Sequence, residues 1–503
     1  MASTVQTESL NIVMAASEAV PYAKTGGLAD VIGVLPIELI KLGHRVTVIL
    51  PGHRSVLAST LSRRVVTKIT VPTADRSIDV ALEEELVPVA EGTPPLRLLV
   101  VRCDACFDRP GLYQDEHGDY PDNLERFIIF CRAVLEGLAY VARRWGEPAH
   151  LLHLHDWQAA LCAVYLKVGP GVGKSVSAVK TLLTIHNIGY QGLFPGEQFS
   201  ATGLHPTVFA PSGLEFYGSV NCLKGGIVFA DAVSTVSPTY AKEILTQEFG
   251  CGLEGVLTAR AAPVQGITNG IDVDVWNPET DRYLPARYHA ADLSGKEACK
   301  QAIQRELGLP VRDVPLLAAI GRLTSQKGFD LLLDIIPELA RLDVQVALLG
   351  TGDRHLEQQF LNARAAHPDR VAVHIGFDDA LAHRIEAGAD MVVMPSRYEP
   401  CGLTQLYSLR YGTIPIVRKT GGLADTVVPF KPSTAQAKRA TGFHVGEASP
   451  DALLTTILLA LSVYEDREAW RSMISAGMSS EMSWTQAASR YIELYRSIIK
   501  TKP

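Results

Sequence analysis

The chain has 503 residues, of which 47% are hydrophobic and 20% charged, with a formal net charge of −7 and a pI of about 6.1. That length suits roughly two to four domains with sizeable cores, and the composition excludes an intrinsically disordered chain. The acidic balance argues against a nucleic-acid binder, and the lack of any run of 18 or more apolar residues argues against a membrane span.

Met1 to Leu10 lacks the basic start and apolar stretch of a signal peptide and contains no arginine, so a cytoplasmic protein is expected. The first strand is expected over Leu10 to Ala16, followed by a turn at Gly26-Gly27 and a helix over Val31 to Gly43. Arg45 to Leu50 reads as the next strand, completing a strand–loop–helix–strand unit of a parallel sheet. Strands ending in polar residues follow at Leu151 to Trp157, Thr181 to Asn187, Ala232 to Ser237 and Val264 to Gly270. A loop-rich stretch from Asn277 to about Ser294 is the expected linker. The pattern then restarts: strand at Pro315 to Leu323, helix over GFDLLLDIIPELARL, and strands at Val344 to Gly352, Ala389 to Ser396 and Thr413 to Arg418. Ser483 and Gln486 fit a capping box. Ala488, Tyr491, Ile492, Tyr495, Ile498 and Ile499 then share one face of a terminal helix, which must dock somewhere.

The reading is α/β: two doubly wound domains, 1–270 and 271–480, with a terminal helix over 481–503. Ligands in such folds bind beyond the carboxyl ends of the strands, and two such domains are expected to enclose a cleft. The eight cysteines are scattered and read as reduced thiols. Cys103 and Cys106 make one C-x-x-C pair with no second pair at zinc-ribbon spacing, so no metal is expected.

One phrase occurs twice: KTGGLAD at Lys24 to Asp30 and again at Lys419 to Asp425. Each follows an expected strand, so the two could be glycine turns on opposite walls of one cleft, or a common strand–turn–helix phrase met twice. Glycine turns at helix starts offer free N–H groups to anions, and Lys24 beside Gly26 and Gly27 adds a cation. Arg322 and Lys327, five apart beyond a strand, are a fork and a point charge suited to a diphosphate; alone they could equally be a surface pair. Glu399 precedes Gly402-Leu403-Thr404, a helix start whose amides could hold phosphate. His186 and Asp156 end strands, where each is either structural or aimed at a sugar hydroxyl. GPGVGKS, Gly169 to Ser175, imitates a P-loop, but the spacing needs glycine where Val168 stands. Asp272 and Asp274 lie in a loop-like context and read as structural.

KTGGLADVIGVLP, FDRPGLY, GDYPDN, HDWQAAL, TIHNIGYQG, FGCGLEGVL, NGIDVDVWNP, GRLTSQKG and PSRYEPCGLTQLY together resemble the bacterial glycogen synthase and plant starch synthase family, from about Leu10 to Ile499. The resemblance implies a GT-B fold with the terminal helix crossing back to the first domain. It also implies an ADP-glucose donor, an α-1,4-glucan acceptor and retention of anomeric configuration, with no cofactor. By motif, Lys24, Gly26 and Gly27 would touch donor sugar and phosphates, Arg322 and Lys327 the diphosphate, and His186 and Glu399 the glucose or reacting centre. Asn269, Cys401, Gly402, Leu403 and Thr404 would line the donor pocket, and Glu18, Asp30 and Asp156 would be the acidic positions near donor and acceptor. Phe377 stands where relatives often have tyrosine, beside the adenine; it can stack but lacks the hydroxyl. Eight residues beyond Glu399 comes Tyr407, where many GT-B enzymes have a second glutamate. The alternatives are the same reaction with UDP-glucose, a non-catalytic glucan-binding relative, and a dinucleotide-dependent oxidoreductase, whose glycine fingerprint is missing.

Overall fold

The computed structural model describes residues 8–59, 62–72, 76–170, 176, 178–431 and 439–501. Residues 1–7, most of the expected leaderless N-terminus, and 171–175, the end of the P-loop imitation, lie outside them. The chain divides into two compact units: unit 1 comprises Met1–Val236, Ala241–Ile267 and Trp484–Pro503, and unit 2 comprises Ser237–Tyr240 and Thr268–Ser483.

The main sheet of unit 1 has the order Gln265–Gly266, Ala232–Thr235, Lys180–Ile185, Leu151–His155, Asn11–Ala15, Arg45–Pro51, Leu96–Arg102, Ser77–Val87, Arg64–Pro72. The first seven strands are parallel and the last two antiparallel. Strands buried on both faces are mainly apolar, and Asn11–Ala15 and Leu151–His155 are buried at every position, Asn11, His153 and His155 included. The order reverses between these two strands: the chain proceeds from Asn11–Ala15 to one side and from Leu151–His155 to the other. Such a switch point leaves a crevice beyond the carboxyl ends of the two strands.

Unit 2 carries a parallel sheet ordered Val371–Ile375, Gln345–Gly350, Leu316–Ile320, Met391–Met394, Ile414–Arg418, Phe443–Val445. Its switch point lies between Leu316–Ile320 and Met391–Met394. The expected helix over GFDLLLDIIPELARL is two short ones, Phe329–Asp334 and Ile336–Leu339. Pro337 has no N–H to donate and stands in the first turn of the second helix, where none is needed.

Asn277 to Ser294 is no linker; it belongs to unit 2. Its buried Asp281 accepts from Tyr411 Oη at 2.6 Å and lies 2.7 Å from His383 Nδ1, and Tyr288 Oη donates to the Tyr411 carbonyl at 2.8 Å. Trp276 is sandwiched between the rings of His383 (3.8 Å) and Tyr407 (3.7 Å). Cys103 and Cys106 are joined as a disulfide, contrary to the expectation of free thiols throughout. The terminal helix, Trp484–Lys500, belongs to unit 1, with Ala488, Tyr491, Ile492, Tyr495 and Ile498 buried in the same core as Val31, Leu35 and Leu39. Tyr495 Oη also lies 2.8 Å from His153 Nδ1 in the sheet. No helix among the described residues is long and apolar enough to cross a membrane.

Candidate functional site

Each unit gathers candidate residues at its own switch point. In unit 1 the loop after Asn11–Ala15 carries Glu18, Lys24, Gly26 and Gly27 into the Gly27–Lys41 helix. Glu18, expected among the acidic positions near donor and acceptor, has a carboxylate that protein donors occupy. It accepts from Thr25 N, Thr25 Oγ1 (2.6 Å), Gly26 N (3.3 Å) and Tyr113 Oη (2.6 Å). A buried carboxylate with four donors is an anchor, and this one fixes the glycine loop to the FDRPGLY segment. Lys24 is exposed and pairs with Asp30 at 2.7 Å. A Cβ on Gly26 would meet nothing within 4 Å, so this loop stands open.

Beyond the neighbouring strand, Asp156 adopts a left-handed backbone (φ 56°) that carbon-branched L-residues avoid. Its buried carboxylate accepts from His186 N at 2.6 Å, and burial outweighs that bond, pushing its pKa up to about 7. His186 Nε2 lies 3.0 Å from His155 Nδ1, and burial pulls the His186 imidazole down to about 3. The ring is therefore neutral at physiological pH and presents a dipole, not a charge.

In unit 2 the loop after Leu316–Ile320 carries Arg322, which is exposed, and Lys327. Lys327 Nζ lies 2.6 Å from Glu399 Oε2, which also accepts from Ser396 Oγ at 3.0 Å. Glu399 stands beyond the adjoining strand, Met391–Met394, so the pair bridges the switch point itself. Two contacts lock these loops together: Arg397 N donates to the Gln326 carbonyl at 2.8 Å, and the Arg397 guanidinium grips Asp330 at 2.8 and 2.6 Å. Cys401 is buried, which pushes its thiol up to about 12. Asn269 is 7% exposed, and its Oδ1 accepts no hydrogen bond from the protein. Gly402, Leu403 and Thr404 lead into a short helix, Thr404–Arg410. Phe377 is 78% exposed just after the strand Val371–Ile375.

The second KTGGLAD differs from the first. Gly421 and Gly422 are buried against the EPC backbone: a Cβ would come within 1.9 Å of the Glu399 carbonyl oxygen at Gly421 and 2.2 Å of the Cys401 carbonyl oxygen at Gly422. Gly422 N donates to the Glu399 and Pro400 carbonyls, both at 3.1 Å, and so is not free for an anion. Ser237 Oγ donates to the Pro400 carbonyl at 2.7 Å, and Asp425 accepts from Thr239 N and Oγ1 at 2.8 and 2.6 Å. This copy is a bed for the Glu399 loop. Sequence reasoning missed it, along with Tyr113, Ser396 and Ser237; Tyr113 and Ser396 stand inside the quoted motifs, whereas nothing local marks Ser237.

Two doubly wound units, one with cations and a glutamate gathered at its switch point, have the architecture of the GT-B glycosyltransferases. Residues 11–259 match the family model of the starch synthase catalytic domain, and residues 300–474 that of glycosyl transferases group 1. The chain is 46% identical over 491 residues to a glycogen synthase of Anaeromyxobacter sp. (strain Fw109-5), covering 97% of this chain and 99% of that one. It is 45% identical to a glycogen synthase of Syntrophotalea carbinolica, covering 98% and 99%. Its fold is similar to the catalytic domain of starch synthase IV from Arabidopsis thaliana, a structure bound to ADP and acarbose, with a TM-score of 0.88, 33% identity and 98% and 100% coverage. It shares the fold alone with a sucrose-phosphate synthase from Thermosynechococcus elongatus, at a TM-score of 0.59 and 18% identity over 97% and 99% of the chains. The chain belongs to the glycogen synthase and starch synthase family of glycosyltransferases.

Proposed function

We propose that this enzyme takes glucose from ADP-glucose and adds it, with retained configuration, to the non-reducing end of an α-1,4-glucan. The observation that carries the reading is the Lys327–Glu399 pair across the unit 2 switch point, with Arg322 on the same loop. The likeness to a starch synthase whose structure holds ADP and acarbose supports the choice of donor and acceptor.

In the proposed step the bond from the glucose anomeric carbon to the diphosphate breaks and the glucan 4-hydroxyl oxygen bonds to the same face of that carbon. The hydroxyl proton passes to the departing phosphate oxygen. Negative charge grows on the leaving diphosphate, so Arg322 and Lys327 stabilise the transition state more than the bound substrate. Loss of one such preorganised cation costs about 3–4 kcal/mol, or roughly 10²–10³-fold in rate. Glu399, held by Lys327 and Ser396, and Asn269, with its unpartnered Oδ1, would fix glucose hydroxyls. In unit 1, neutral His186 would bond a sugar hydroxyl, while the open Gly26 loop beside Lys24 would admit phosphate oxygens. Glu18 acts through that loop as a positioning residue. Following labelled glucose from ADP- and UDP-glucose into glycogen tests the reading: ADP-glucose should be the better donor, and a preference for UDP-glucose or no transfer would overturn it.

A further inference from the structure

Three residues other than glycine, among those described, hold a left-handed backbone: Asp156, Tyr217 and Cys251. All three belong to unit 1. Asp156 is part of the candidate site; the other two lie on a small three-stranded sheet and its neighbour. The hairpin Glu215–Phe216 and Ser219–Asn221 is closed by Tyr217-Gly218, with φ of 49° and 82°. Two positive φ values in a two-residue loop are the type I′ signature, for which Asn-Gly is preferred. Tyrosine there costs about 1–2 kcal/mol relative to a residue at ease in that conformation. The ring that incurs this cost is 87% exposed. Strain of this kind points to function when nothing in the fold requires it.

The ring is also propped. Phe216 meets it edge-on at 4.7 Å, and Phe216 in turn lies against Gly252, where a Cβ would come to 3.0 Å from its ring. The preceding Cys251 carbonyl accepts from Gln191 Nε2 at 3.0 Å, and Gln191 Oε1 accepts from Asn221 Nδ2 at 2.7 Å. Gln191 sits five residues after His186, so the hairpin is continuous with the candidate site through one short loop. Tyr190 (49% exposed) and Leu193 (52%) add apolar surface on the same loop and strand. A rigid aromatic ring in solvent suits the C–H face of a pyranose, which stacks with little entropy lost by the protein. The net charge of −7 disfavours a polyanion at this surface.

We propose that Tyr217 is a stacking platform for a glucose ring of the α-glucan, away from the sugar that reacts. This rests on the reading of the enzyme as one that lengthens such chains. The test is Tyr217→Asn with Tyr217→Phe beside it, measured by retardation in native gels containing glycogen, by KM for glycogen and for ADP-glucose, and by Tm. Tyr217→Asn should keep or raise Tm, because asparagine suits the turn, yet weaken glycogen retardation and raise the glycogen KM about tenfold, the size of one lost aromatic stack. The donor KM should hold, and Tyr217→Phe should restore glycogen binding. A Tyr217→Asn enzyme with wild-type retardation and glycogen KM overturns the platform while leaving the transfer reading intact. A wild type that transfers no glucose, but whose glycogen retardation is abolished by Tyr217→Asn, would keep the platform and overturn the transfer reading.

Discussion

Replacing Gly421 by alanine tests whether the second KTGGLAD is the bed of the Glu399 loop. The new Cβ would stand 1.9 Å from the Glu399 carbonyl oxygen and 2.9 Å from its carbon, whereas real Cβ contacts under 3.0 Å are essentially unknown. The two backbones must therefore separate by about an ångström. Gly421 also has φ 44°, where alanine is strained. Overpacking costs about 1–3 kcal/mol and the left-handed alanine about 1 more, so Tm should fall by roughly 5–15 °C at a few degrees per kcal/mol. Displacing Glu399 by that distance should also lower kcat by about 10²-fold, since positioning errors of this size are that costly. The control is Gly26→Ala in the first copy. Nothing lies within 4 Å of its Cβ and its φ of −156° is ordinary extended backbone, so stability should change by no more than about 1 kcal/mol. The assay is glucose transfer from ADP-glucose to glycogen alongside a thermal melt of each variant. A Gly421→Ala enzyme with wild-type Tm and kcat would refute the reasoning.

Lys327→Ala should lower kcat by about 10²–10³-fold with the fold retained, measured by initial rates and circular dichroism; near-normal kcat would discredit the role of the cation. Glu18→Gln should raise KM for ADP-glucose, because an amide nitrogen cannot accept from the Thr25 and Gly26 donors; an unchanged KM would show that the loop holds itself. Acid should destabilise the protein: His44 (about 4), His53 (about 3), His153, His155 and His186 (about 3) are all depressed by burial, so the unfolded chain binds more protons below about pH 6.5. Asp156 (about 7) and Glu386 (about 8) are raised and act in the opposite sense, but five groups outweigh two, and Tm should fall between pH 6.5 and 4.5. Asp156→Asn removes one of the opposing groups, so its Tm relative to wild type should climb from pH 4 to 7 and then level; a flat difference would show that burial does not raise this carboxyl.

Most of the parallel strands were legible because a strand covered on both faces is mainly apolar, as in Asn11–Ala15 and Leu316–Ile320, whereas Leu96–Arg102, Val371–Ile375 and Phe443–Val445 went unread. The antiparallel edge, Arg64–Pro72 and Ser77–Val87, escaped notice because its strands mix exposed charges with apolar residues and carry no continuous run. Lys327 and Glu399 could each be suspected from motif and strand end, but the contact between them is set by the sheet order, which joins residues 72 apart. The repeated heptad shows the limit most clearly. Identical residues make an open loop at Gly26 and a buried one at Gly421, because burial depends on the Glu399 to Cys401 backbone and not on the seven residues themselves. A proline alone does not decide a break either: Pro337 opens a new helix, whereas Pro36 stands inside the unbroken Gly27–Lys41.

The return of Trp484–Lys500 to the first unit has a consequence for biosynthesis. Translation releases everything unit 2 needs by Ser483, whereas unit 1 waits for its last helix to leave the ribosome. Until then the groove that will receive Tyr491 and Tyr495 stays bare, so the half made earliest is the half finished latest.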